Sequence, residues 1–220
     1  MTELRNPSLR AEYLSHSGTC SRGSRQHALC QFSLQAARFS GVNEGEDGTM
    51  DSKKLAALRN ELDILTKTDL YSTQYQNEIE RLQKKYWHSI TILPTANQSK
   101  FTCFAFALGL AGMDEYIAMM DGSRFADSSF VRWLIAKQKL TAAKPHAGGI
   151  VAYSNGGRLN HAGIATEEAD MIRSKWGGNK IHEHPLYEVP ANFGSQIDYY
   201  ASNREDAFRW FLEWCNTSDQ

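Results

Sequence analysis

The chain has 220 residues, 41% hydrophobic and 22% charged, with a formal net charge of −1. That balance fits one main globular domain with a proper core, and it excludes a global field that would steer the protein to nucleic acid or anionic lipid. The longest apolar stretch, Phe101–Met113, is interrupted by Gly109 and Gly112; it falls well short of the roughly 20 residues of a membrane span, so no membrane partner is expected either.

Residues 1–49 are rich in Ser, Arg and Gly, and only Ala28–Phe39 could form a helix of its own. Burial there cannot offset the entropy of ordering, so this section reads as a flexible tail preceding a domain at 50–217, with Met50 an alternative start. The N-terminus lacks the basic flank and apolar core of a secretory signal, which predicts synthesis as a cytoplasmic protein. The four cysteines, Cys20, Cys30, Cys103 and Cys215, follow no disulfide or metal spacing, and their scarcity suits a reducing compartment.

Leu55, Leu58, Leu62 and Leu65 step by three and four and predict an amphipathic helix from Asp51. Thr66–Asp69 breaks it. Thr73 with Gln76 has the spacing of a capping box, opening a second helix with a stripe of Tyr75, Ile79, Leu82 and Tyr86. The heptad pattern does not persist, so the pair is expected to pack on the domain and not to form a coiled coil. Ile90–Pro94 reads as extended and Thr95–Lys100 as a polar turn, followed by a helix opening at Cys103. Helices are expected at Asp114–Met120 and Ser128–Lys139. Ile150–Ser154 and Asn160–Ala165 alternate as strands around the turn Asn155–Arg158. Met171–Trp176 and Ile197–Ala201 read as further strands, with His182–Pro185 extended between them. Arg204–Cys215 closes as an amphipathic helix carrying Ala207, Phe208, Phe211, Leu212 and Trp214. Helices first and a meander after them predict an α+β domain: a cysteine-bearing core helix on an antiparallel sheet, with a C-terminal helix.

Two residues could carry chemistry. A thiol nucleophile needs a lowered pKa, an imidazole base and donors for an oxyanion. Cys103 at a helix start meets the first need, because the unpaired N–H groups there favour a thiolate; its alternative reading is a small buried residue. His161 lies on an otherwise apolar strand, where an imidazole needs a hydrogen-bonding reason. His182 and His184 alternate on extended chain and face one side. With Cys103 and His161 they compose an alternative zinc site, hence an alternative zinc-dependent hydrolase. His16, His27, His88 and His146 have no evident partner. Trp176 and Phe193 read as core, or else as a substrate-binding wall.

The segment Gly149-Ile-Val-Ala-Tyr-Ser-Asn-Gly-Gly-Arg-Leu-Asn-His-Ala-Gly-Ile-Ala165, downstream of Cys103, resembles the hairpin of NlpC-type peptidoglycan peptidases and CHAP amidases in the papain-like superfamily, over roughly residues 90–201. The resemblance implies Cys103 as nucleophile and His161 as base. It implies a third residue by strand spacing at Ser174, with His184 reaching in from the next segment as the other candidate, and an oxyanion donor at Asn97 or Gln98. Gly148-Gly149 stands where the family has Gly-Asp. The implied function is a cysteine-dependent hydrolase or acyl-transfer enzyme without cofactor. It would cleave an amide in a peptidoglycan peptide or deamidate protein glutamine, and the leaderless chain suits an effector or toxin delivered by a dedicated secretion system, with an immunity or chaperone protein as partner. The alternative is a non-catalytic protein-interaction module on the same fold, binding through the 51–86 helices.

Overall fold

The structure is a computed structural model that describes residues 50–68, 72–94, 101–120, 124–177 and 180–217, all within one compact unit, Asp47–Gln220. The expectations for residues 1–49, Asn97 and Gln98 lie outside the described residues. The leucine stripe folds as helix α1 (Ser52–Lys67). Its Asp51 cap accepts from the Lys53 N–H at 3.1 Å, and Leu58, Leu62 and Leu65 are buried. Helix α2 (Ser72–Tyr86) runs back alongside, with Ile79, Leu82 and Tyr86 buried. The capping box does not form: α2 begins at Ser72, and the Gln76 amide donates along the helix to Glu80 at 3.1 Å. The two helices are tied by Glu61, which accepts from Tyr86 and Lys85 at 2.6 Å and from Arg81 at 2.8 Å.

The strands are β1 (Thr91–Ile92), β2 (Thr141–Ala142), β3 (Ile150–Asn155), β4 (Arg158–Ala165), β5 (Met171–Trp176), β6 (Lys180–Pro185) and β7 (Gln196–Ala201). They form one antiparallel sheet of order β1-β6-β5-β4-β3-β7-β2. The β3–β4 turn is the two-residue Gly156–Gly157, with φ of +56° and +78°, the left-handed pair that matches strand twist. A bulge then skips Asn160: Tyr153 faces His161, whereas Ser154 faces Leu159.

The remaining helices are α3 (Cys103–Ala107), α4 (Asp114–Met119), α5 (Ser128–Ala136) and α6 (Ala207–Thr217). Helix α3 is short because Gly109 turns the chain at φ +78° into a 3-10 turn, Leu110–Gly112. The C-terminal segment opens with a 3-10 turn, Arg204–Asp206, before α6, whose buried residues are Ala207, Trp210 and Phe211. Leu212, expected in the apolar stripe, is 36% exposed.

The sheet separates two cores. On one face α3–α6 bury Phe104, Leu108, Leu110, Tyr116, Phe130, Leu134 and Phe211 against Ile150 and Ala162. On the other, α1 and α2 bury Leu58, Leu62, Ile79 and Leu82 against Val151, Tyr153, Ile172, Trp176 and Phe193. Each fully buried side chain of this size contributes about 1.5–3 kcal/mol, so neither layer is incidental. The α+β class and the antiparallel sheet stand as expected. Among the described residues no helix is long and apolar enough to cross a membrane.

Candidate functional site

Cys103 is the first residue of α3. Thr102 caps that helix, its hydroxyl accepting from the Ala105 N–H at 3.0 Å and donating to the Ala126 carbonyl at 2.5 Å. Helix α3 packs on β4 and β5, and the partly buried Cys103 lies against the first core, beside the Ala162 backbone. Burial pushes the thiol up to about 11; hydrogen bonding to the Ala162 and Phe104 backbone and the charge of Lys175 oppose this without reversing it. The expected depression of the thiol pKa is absent. A five-residue helix supplies a smaller field than desolvation removes.

His161 is on the other face. It is opposite Tyr153, 1% exposed, and stacked on Phe193 with ring centroids 3.7 Å apart and planes at 8°, inside the second core. Successive strand residues point to opposite faces: Ala162 meets the cysteine side, so its neighbour His161 faces away from it. The sequence expectation of a Cys103–His161 dyad is therefore corrected: the sheet lies between them. His161 is held neutral by burial, with His184 and His182 adding to the effect, and its Nε2 has no hydrogen-bond partner.

Ser174 and His184 do not complete a triad, although the structure brings them together. Ser174 is opposite Gly163, and its hydroxyl is 2.8 Å from His184 Nε2. His184 Nδ1 lies 2.9 Å from the Pro185 carbonyl, which accepts only. Nδ1 therefore carries the proton, and Nε2 accepts from Ser174. The Ser174 oxygen accepts in turn from Trp176 Nε1–H at 2.8 Å. All three side chains are buried, and burial takes His184 down to about 4. Trp176 stacks on His182 at 4.2 Å and 17°, so it is core and not a substrate wall. The chain Trp176–Ser174–His184 is buried and satisfied internally.

His182 is also fully buried, with Nε2 3.2 Å from the Tyr75 hydroxyl of α2 and Nδ1 unpartnered. Among the described residues no three His, Cys, Asp or Glu are grouped to hold a metal ion, and Cys103 lies across the sheet from the histidines, so the alternative zinc set is not assembled.

Lys175, which by sequence is a poor orienter for His161 because it presents a cation to the imidazole, lies beside Cys103 instead. It is on the cysteine face of β5, 3% exposed. Its ammonium donates to the Gly177 carbonyl at 2.7 Å and lies 5.2 Å from the Phe101 ring centroid. Burial lowers its pKa, and the charge of Cys103 opposes that. Strand alternation marks Lys175 as opposite to Ser174 and Trp176, but nothing in the sequence says which face receives α3. Further along the same side of the sheet, Arg173 pairs with Glu183 at 2.6 Å, and both line a depression of about 600 Å³ with Glu167 and Glu168.

Compared with family models, with curated proteins and with solved structures, the chain matches none.

Proposed function

We propose that this domain is a papain-like α+β scaffold used for protein binding and not for thiol hydrolysis. The papain-like part rests on a helix that opens with cysteine and packs across the meander strand β4. The binding part rests on one observation, the placement of Cys103 and His161 on opposite faces of the sheet. A base must come within hydrogen-bond reach of its nucleophile, and here a strand intervenes. The partner surface is the outer side of α1 and α2, with Ile64 exposed on α1 and Trp87 exposed just after α2 (66% and 85% exposed). Trp87 follows α2 at φ +62°, a left-handed conformation unusual for a bulky side chain.

The test compares wild type with Cys103→Ala in peptidoglycan-peptide cleavage and glutamine-release assays, beside the alkylation rate of each cysteine. The binding reading expects no thiol-dependent turnover and a Cys103 that reacts no faster than Cys20. Turnover lost in Cys103→Ala would sink it.

A second reading has its own observation, the buried Lys175 whose charge reaches Cys103. In it the protein is a cysteine-dependent hydrolase or acyl-transfer enzyme in which Lys175, and not His161, stabilises the thiolate of Cys103. Lys175→Met then slows alkylation at Cys103 while His161→Asn leaves it unchanged. Equal rates in all three proteins would eliminate this reading.

A further inference from the structure

The second core holds four buried imidazoles, His88, His161, His182 and His184, each no more than 2% exposed. They sit where the α1–α2 hairpin meets one face of the sheet. His88 is locked as a neutral tautomer: Nδ1 accepts from the Ile90 N–H at 3.1 Å, so Nε2–H donates to the Ile79 carbonyl at 3.1 Å. His184 is locked by Ser174 and Pro185. His161 keeps Nε2 with no partner, and His182 keeps Nδ1 with none at hydrogen-bond geometry, the Lys180 backbone being its nearest polar group; an unpartnered buried polar atom is uncommon and needs a reason.

Among the described residues no carboxylate is hydrogen-bonded to His161, His182 or His184. From α1 comes Arg59, which donates to the Gly194 carbonyl at 2.5 Å, while the α1 carboxylate Asp63 holds Lys67 at 2.6 Å through one oxygen and keeps the other buried without a partner, and Glu61 holds Arg81, Lys85 and Tyr86. Helix α2 contributes the Tyr75 and Tyr86 hydroxyls, β3 contributes Tyr153, whose hydroxyl donates to the Leu186 carbonyl, and β7 contributes Tyr199. From β5 come Ser174 and Trp176, and from β6 Lys180, a cation that disfavours a charge on His182. After β6 come Tyr187 and Glu188, the latter accepting from the Ser89 N–H at 3.0 Å. A protonated imidazole here meets other histidines, aromatic faces and a lysine. With no carboxylate bonded to the ring, its charge calls for water, which the closed hairpin excludes.

We infer that the hairpin–sheet layer is an acid-operated latch, closed while His161, His182 and His184 are neutral, and opened by their protonation with the hairpin leaving the sheet. The opposite core, built by α3–α6, shares no side chain with the layer and stays packed. All three rings resist protonation in the closed form, and His184 is held down to about 4. Histidine in the opened form titrates near 6.5. Above that value the latch is insensitive to pH. Below it, each ring favours opening about tenfold per pH unit, so three rings together change the equilibrium about a thousandfold per unit until the closed-form values are reached.

The test is hydrogen exchange of the full chain from pH 7.5 to 4.5, corrected for intrinsic rates. The expected result is loss of protection in Ser52–Lys67 and Ser72–Tyr86 below about pH 6, with Ser128–Ala136 and Ala207–Thr217 still protected. Simultaneous loss in all four helices, or an unchanged hairpin at pH 4.5, overturns the inference. His182→Gln keeps a partner for Tyr75 and removes one titration, so opening shifts to lower pH and its proton order falls by one. If that variant fails to fold, the wild-type histidine ring resonances decide. They should stay in the neutral position until the hairpin opens, and smooth titration near pH 6.5 with the hairpin still protected refutes the latch.

Discussion

Ser174→Ala is the sharpest test of what the strand β5 side chains do. The serine hydroxyl accepts from Trp176 Nε1 and donates to His184 Nε2, each at 2.8 Å. Ser174 and His184 are fully buried and Trp176 is 2% exposed. Removing one oxygen strands one donor and one acceptor. Each stranded buried group costs about 1–3 kcal/mol, so the variant should lose roughly 2–6 kcal/mol. A domain of this length loses about 2–4 °C of Tm per kcal/mol, and a fall of about 4–24 °C is expected by circular dichroism, with urea unfolding giving the free energy. Pairing the change with Trp176→Phe in a double-mutant cycle separates the two bonds. The donor is then gone as well, so the second substitution should cost less in the Ser174→Ala background than in wild type. A loss under about 1 kcal/mol in Ser174→Ala would refute the accounting, because the network would then be dispensable or replaced by water.

Three further outcomes follow from the same geometry. In Gly163→Ala the new Cβ would lie 2.7 Å from Ile172 Cγ2 and 2.8 Å from the Arg173 carbonyl oxygen. That oxygen is backbone at the β4–β5 pairing and cannot move freely, so a loss of about 1–3 kcal/mol or more is expected, and an unchanged Tm would contradict the register. Glu61 is held down to about 2, first by Lys85 and then by Tyr86. Its contribution is present above the ordinary carboxylate range and disappears as pH falls through about 2. Since its cationic partners Arg81 and Lys85 are about half exposed and screened by solvent, Glu61→Gln should cost only about 1 kcal/mol and flatten stability against pH below about 4.5; an unchanged acid limb counts against the interaction. With its thiol near 11, native Cys103 should react with iodoacetamide at neutral pH on the order of 100-fold more slowly than in the denatured chain, where the thiol is near 8.5. Mass spectrometry of time points gives the rates, and a native rate above the denatured one reverses the conclusion.

Much of the fold was legible because local patterns carried it. The leucine steps of α1 bury Leu58, Leu62 and Leu65, the stripe of α2 buries Ile79, Leu82 and Tyr86, and β3 and β4 pair as expected, with Leu55 and Tyr75 only half-buried and β3 buried on both faces. Gly156–Gly157 could only be a tight turn. Other features were hidden for physical reasons. The two-residue strand β2 is an edge pairing made by β7 and leaves no periodicity of its own. The early end of α3 depends on Gly109 adopting φ +78°, which glycine permits but does not require. His88, left without a role by the sequence, is one of the four imidazoles of the second core.

The pairing of Cys103 with His161 shows where sequence stops. Alternation says that His161 and Ala162 point to opposite sides of the sheet. It cannot say which side α3 covers, because both faces of the central strands are apolar and either could receive a helix. By itself the sequence determined an α+β chain with an amphipathic helical pair, a glycine hairpin and a cysteine at a helix start. Only tertiary packing decided that α3 would take the Ala162 and Lys175 side while α1 and α2 sealed the histidines beneath them. Side-chain direction is a local property of a strand, whereas the identity of the layer that it meets is set by long-range burial.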